Sequence, residues 1–133
     1  MLVYLDTCIL IYYYEQTGSL HQRAAHRVGQ LLTAGNQFVT SDLVRLECRV
    51  KPMKLGDAAA LATLDSFFAR PDVLLAPMSS AVFDRATSIR AIHGFKLADS
   101  LHLAAALESG CQLFLTNDSR LSTCTDIVIE VLP

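Results

Sequence analysis

Short apolar runs alternate along the chain with longer stretches in which apolar residues recur every three to four positions. The runs at 2–6, 37–40, 73–76, 112–116 and 127–131 are the length of strands and rich in Val, Leu, Ile and Phe. Between them the pattern has helical period, with stop and start signals at its ends. Asp6 or Thr7 opens a helix to about residue 15, which Gly18-Ser19 breaks. Residues 20–34 carry Ala24, Val28, Leu31 and Leu32 on one stripe, closed by Gly35. Ser41 or Asp42 caps a helix bearing Leu43, Val44, Leu46 and Val50, with Pro52 its expected end. Further helices are predicted over 56–70, from Ser79 or Ser80 to residue 92, and over 97–109, where Ala and Leu dominate. Residues 117–121 form a turn or short helix.

Strands alternating with helices predict an α/β fold: a central parallel sheet of four to five strands with helices on both faces and right-handed crossovers. The 133 residues suit a single domain over 1–133, and no linker, repeat or low-complexity tract divides them. At 52% hydrophobic and 18% charged, the chain carries enough apolar surface for a packed core, which excludes a disordered class. No apolar run is long enough to span a bilayer and no secretion leader opens the chain, so no membrane partner and a cytoplasmic location are expected. Cys8, Cys48, Cys111 and Cys124 form no CxxC pair and read as reduced thiols.

Four acids fall where a charge needs a reason. Asp6 ends the run Leu2-Val3-Tyr4-Leu5, and Asp118 follows Leu113-Phe114-Leu115. Glu47 and Asp99 interrupt apolar helical patterns. A carboxylate beside a core is costly unless it is paired, hydrogen-bonded or bound to a cation. Sites in open parallel sheets form beyond the carboxyl ends of strands, and one edge of this sheet can present all four side chains. Each acid also has an ordinary explanation. Asp6, Asp99 and Asp118 serve equally well as helix caps or first-turn charges, and Glu47 as an exposed helix position. The net charge of −2 excludes a generally basic nucleic-acid binder, but Arg45, Arg49, Lys51 and Lys54 cluster around Glu47. They suit a phosphate backbone or, as simply, a solvated helix end.

The local motifs add to that reading. Asp6-Thr7-Cys8-Ile9-Leu10-Ile11 after an apolar strand, Ser41-Asp42-Leu43-Val44-Arg45-Leu46-Glu47, the block from Lys96 through Ala98-Asp99-Ser100-Leu101-His102 to Ala106, and Phe114-Leu115-Thr116-Asn117-Asp118 resemble, in order, the four motifs of the PIN-domain family, and within it the VapC toxins of toxin–antitoxin pairs. The resemblance runs the length of the chain and keeps every acidic position. It implies a metal-dependent endoribonuclease using Mg²⁺ or Mn²⁺, the hard ions that oxygen ligands select, and cleaving RNA with a metal-activated water. Asp6, Glu47 and Asp99 would then be the main ligands, and Asp118 would complete the site. Thr7 and Thr116 would orient carboxylates or water. Arg45, Arg49, Lys51 and Lys96 would be candidates for RNA-backbone contact. A cognate VapB-type antitoxin lying over the acidic groove and a homodimer are further implications.

Other polar residues are read against ordinary roles. His102 lies three residues after Asp99 on the same helix and reads first as a buried, hydrogen-bonded histidine, with a role behind the site as the alternative. His21 and His26 read as solvent-exposed, and His93 as a helix-end residue. Tyr12-Tyr13-Tyr14 reads as core or interface before base stacking. Three rivals complete the picture, and one, a receiver-like domain, shares the α/β pattern but needs a Lys at the end of a late strand, where this chain has Thr116. A HAD-like phosphatase needs an acid two residues after its first Asp, where this chain has Cys8. A non-catalytic binding module would use all four acids as caps.

Overall fold

The computed structural model describes residues 1–15 and 17–133. Five strands, β1 (Leu2–Leu5), β2 (Gln37–Ser41), β3 (Val73–Ala76), β4 (Leu113–Thr116) and β5 (Val128–Val131), form one sheet in the order β3-β2-β1-β4-β5. Every pairing is parallel. The helices among the described residues are α1 (Thr7–Glu15), α2 (Gly18–Thr33), α3 (Asp42–Leu55), α4 (Ala58–Phe68), α5 (Ser80–His93) and α6 (Leu97–Glu108), with a 3₁₀ turn at Ser119–Thr123. The α/β fold with a central parallel sheet is therefore as the alternating pattern predicts.

Successive strand side chains point to opposite faces, so a strand buried at every position is covered on both. Val3, Tyr4 and Leu5 are all fully buried in β1, as are Phe114 and Leu115 in β4. Helices therefore pack over both faces of the sheet centre. Tyr4 and Phe114 are register partners, and their rings stack at 5.3 Å. Helix α6 is buried at seven consecutive positions, Ser100 to Ala106. The three alanines that end this run, Ala104 to Ala106, let it sit close, between α5 and the β2–β3 side of the sheet.

Two expectations need correction. Pro52 does not end α3, which runs on to Leu55 and stops at Gly56 in the left-handed conformation, φ 63°. Proline removes one helical bond and its ring crowds the carbonyl four residues back, but this one lies in the last turn, and the helix still runs three residues past it. His21 is half-buried rather than solvent-facing. Its Nδ1 lies 3.1 Å from both the Tyr12 and Tyr13 carbonyl oxygens, whose positions near the end of α1 leave them without helical donors.

The four cysteines are free. No helix among the described residues is long and apolar enough to cross a membrane.

Candidate active site

The parallel register decides what meets at the carboxyl edge. Leu5 pairs with Leu115, so Asp6 and Thr116 are the next residues out on neighbouring strands. The Asp6 N–H donates to the Leu115 carbonyl at 3.0 Å, which fixes the aspartate backbone to β4. Its carboxylate then accepts from the Thr7 N–H at Oδ1 (2.8 Å) and from the Thr116 hydroxyl at Oδ2 (2.7 Å). Asp6 is only 7% exposed, and these two bonds compensate the burial of its charge.

Glu47 reaches the same edge from α3, a turn and a half after Ser41 caps that helix through the Val44 N–H. The Glu47 Oε1 accepts from the Thr7 hydroxyl at 2.7 Å and faces His102 Nε2 at 2.6 Å. Thr7 thus holds Asp6 with its backbone and Glu47 with its side chain. Burial works to raise the Glu47 pKa, but the His102 and Thr7 hydrogen bonds and the His102 charge together outweigh it and hold the carboxyl below its usual value.

Asp99, in the first turn of α6, shows the opposite balance. Burial, then the negative charges of Asp6 and Asp118, raise its pKa, against the smaller opposing effects of Arg120 and His102. Asp118 caps the 3₁₀ turn through the Arg120 N–H at 3.0 Å. It also accepts the Arg120 guanidinium, with Nε at 2.9 Å from Oδ1, and that pairing holds the Asp118 carboxyl below its usual range. The same guanidinium lies 3.8 Å from Asp99. Asp99 therefore feels the charges of Asp6 and Asp118, while Glu47 joins Asp6 through Thr7. Among the described residues, no three His, Cys, Asp or Glu side chains converge closely enough to cage an ion unaided.

The basic residues divide. Arg49 is paired with Asp65, with its Nε at 3.2 Å from Oδ1 but off the axis of a hydrogen bond. That partner sits on α4 and could not be placed against Arg49 from sequence alone. Lys51 and Lys96 are exposed, Arg45 is half-buried, and the Lys96 charge helps to lower the Asp118 pKa. Lys51 and Glu47 line a groove of about 300 Å³ between α1, α3 and α4, with Ile11, Tyr14, Leu55 and Leu64. Tyr12 packs with the core cluster and its hydroxyl accepts from Asn117 at 3.3 Å, while Tyr14 meets Phe67 edge-on.

Two participants escape the acidic-residue reading. Arg120 belongs to no acidic motif, although its spacing of two from Asp118 is a local signal for a turn-closing ion pair. His102 is buried and hydrogen-bonded, as its position implies, yet its partner is Glu47, 55 residues away. The ordinary and the functional readings of that histidine describe one and the same contact.

A family model described as PIN domain matches residues 3–125. A search of curated protein sequences found no match. Among solved structures, the fold resembles VapBC2 from Rickettsia felis bound to a promoter DNA fragment, with a TM-score of 0.79, 14% identity and 100% of each chain covered. It also resembles VapC20 from Mycobacterium tuberculosis, described as a sarcin–ricin loop cleaving toxin, with a TM-score of 0.78, 16% identity and 98% and 99% of the two chains covered. DNA-bound VapBC from Salmonella typhimurium gives a TM-score of 0.77 at 20% identity, over 100% of each chain.

Proposed function

The chain belongs to the PIN-domain family, and on that premise we propose that it is a Mg²⁺- or Mn²⁺-dependent endoribonuclease, a single nuclease domain over 1–133 acting as the toxin of a VapBC-type pair. The observation that carries this reading is the placement of Asp6, Asp99 and Asp118 at one carboxyl edge, where the charge of Asp99 is opposed by the other two. Such repulsion is relieved by a cation.

The donor set fits a hard divalent ion, because every candidate ligand is a carboxylate oxygen. Open spacing fits as well: Mg²⁺ keeps several of its waters and is bound through one or two carboxylates rather than by an all-protein cage. Asp6, Glu47 and Asp99 would hold the ion most directly, with Asp118 completing the site. Once bound, the ion would supply Lewis acidity toward a phosphodiester and lower the pKa of a water for in-line attack. The protein's own part is orientation. The Thr7 N–H and Thr116 hydroxyl fix the Asp6 carboxylate, and the Thr7 hydroxyl fixes Glu47. Arg45, Arg49, Lys51 and Lys96 are the cations that would bind the backbone of an unpaired RNA segment, Arg49 from its partly exposed pair with Asp65.

The VapBC complexes among the similar structures support a cognate VapB-type antitoxin as partner. The groove beside Glu47 gives such a chain a place to lie, and an arginine or lysine from it would neutralise the carboxylates. A homodimer completes the proposal. The phosphatase reading loses ground: burial and then the Asp6 charge push the Cys8 thiol up to about 12, which leaves it a poor acid/base at the position that chemistry requires.

The test is cleavage of a total-RNA pool by purified protein with Mg²⁺, Mn²⁺ or EDTA, beside D6A and D99A. Cleavage that needs the metal and disappears in both variants supports the proposal. A wild-type protein that binds neither ion by calorimetry refutes it in favour of a non-catalytic module. Co-purification with a small protein encoded beside the gene tests the antitoxin, and sedimentation tests the dimer.

A further inference from the structure

Behind Glu47 runs a chain of buried polar groups, of which Ser41 and His102 lie within the motif segments and Tyr4 outside them. Tyr4 is fully buried in the central strand, where a hydroxyl without a partner would be costly. Its Oη lies 2.8 Å from the Ser41 hydroxyl and 2.9 Å from His102 Nδ1. His102, 2% exposed, then meets Glu47 Oε1 with Nε2 at 2.6 Å. The ionised carboxylate fixes the direction of the bond it receives, and a neutral ring would set the direction of the rest. An ionised carboxylate only accepts, so Nε2 carries the hydrogen. In the neutral ring Nδ1 is then the acceptor, and Tyr4 donates to it. Tyr4 in turn accepts from Ser41, whose oxygen accepts the Val44 N–H at 3.3 Å. Each hydroxyl gives and receives once, and the series ends on one oxygen of Glu47.

That oxygen, Oε1, takes both the His102 and the Thr7 bonds. Oε2 has no hydrogen bond among the described residues. A glutamate one-third exposed on a helix would otherwise sample several rotamers and present either oxygen. We infer that His102, braced by Tyr4 and Ser41, is a positioning residue that anchors Glu47 through Oε1 so that Oε2 alone is offered to a divalent cation. This rests on the nuclease reading for its cation, but concerns how the chain orients its own ligand. The brace joins β1, the end of β2, α3 and α6, so the ligand's orientation is set by the core of the sheet and not by surface packing.

The experiment is a Mn²⁺ titration followed by electron paramagnetic resonance on wild type, H102L, H102Q, E47Q and H102L/E47Q, with thermal unfolding to confirm the fold of each. Loss of a residue that orients a metal ligand weakens affinity about 10- to 100-fold, which is the change expected for H102L. Glutamine places an N–H donor near the position of Nε2, so H102Q restores most of the affinity. In the E47Q background H102L adds nothing further, because the histidine acts only through the carboxylate. A purely structural histidine gives additive losses in the double variant, or no loss in H102L, and either overturns the inference. Should H102L fail to fold, Y4F carries the same test: Mn²⁺ binding weaker than wild type but unchanged between E47Q and Y4F/E47Q supports it, and equality with wild type overturns it. Wild-type protein that binds no Mn²⁺ overturns the nuclease reading and this inference together, whereas normal binding in every His102 and Tyr4 variant overturns this inference alone.

Discussion

Replacing Thr7 by valine keeps the side-chain shape and removes one hydroxyl, the one that donates 2.7 Å to Glu47. A hydrogen bond to a charged group contributes about 1.5–3 kcal/mol when it is well buried. Thr7 is buried, but the Glu47 side chain is 32% exposed, so water recovers part of that and the expected loss is about 1 kcal/mol at pH 7. With a urea slope of about 1.5 kcal/mol/M, the midpoint falls by about 0.7 M. The sign of the pH dependence follows from the lowered Glu47 pKa. Burial opposes the lowering, while His102 and Thr7 produce it. A carboxyl whose folded pKa is depressed stabilises the protein above its unfolded pKa, and that stability is lost as the pH falls through the folded value. The deficit of T7V is therefore full at neutral pH and shrinks in acid, below the ordinary glutamate value of 4.5. Urea unfolding in EDTA at a series of pH values reads both the size and the trend. T7S, which keeps the hydroxyl, retains the wild-type pH profile and loses only a methyl contact. A T7V deficit as large in acid as at pH 7 would show that packing, not the bond to the ionised carboxylate, is what Thr7 contributes.

Three further outcomes are expected. The raised pKa of Asp99, caused first by burial and then by Asp6 and Asp118, means that its charge destabilises the fold above the folded pKa, a penalty that vanishes as the pH drops through it. D99N should therefore be more stable than wild type to urea at pH 7 in EDTA and lose that advantage in acid; a less stable D99N at pH 7 contradicts the assignment. R120A removes the partner that lowers the Asp118 pKa, so carboxyl NMR titration should find Asp118 moved up and Asp99 moved further up, and an unmoved Asp118 refutes the pairing. Leu103 is fully buried in α6, and L103A should cost about 3 kcal/mol and lower Tm by about 10 °C in calorimetry, whereas a drop of a degree or two would mean that α6 is not packed as described.

The elements were legible because each carries its own boundary chemistry. The Asp6 that ends β1, the Ser41 that caps α3 and the Gly94 that closes α5 are local signals, readable from a few neighbours. The strand order was not legible, because β1 pairs with β4 across more than a hundred residues and no local pattern distinguishes that neighbour from β3. The same limit divides the candidate site. Placing Asp6 and Thr116 at the sheet edge needs only the ends of two strands. Knowing that Thr116 bonds Asp6, that His102 meets Glu47 or that Arg49 pairs with Asp65 needs the register and the helix rotation. Arg120 was missed for a different reason. Its pairing with Asp118 spans only two residues, but a surface arginine after a turn carries no signal of its own toward a carboxylate cluster.

The central position of Tyr4 has a dynamic consequence. Proteins open locally from their weakest parts, and loops that bind ligands are often drawn from that end. Here the groups that orient the carboxylates hang from β1, flanked by a strand on each side and covered on both faces. Amide hydrogens of Tyr4 and Leu5 should exchange only when the whole molecule unfolds. The groups that hold Asp6 and Glu47 are therefore tied to the part of the molecule expected to open last. On the proposed reading, control would then come from outside, as a body laid over the edge or as a change in the supply of ions, and would leave the central strand as it found it.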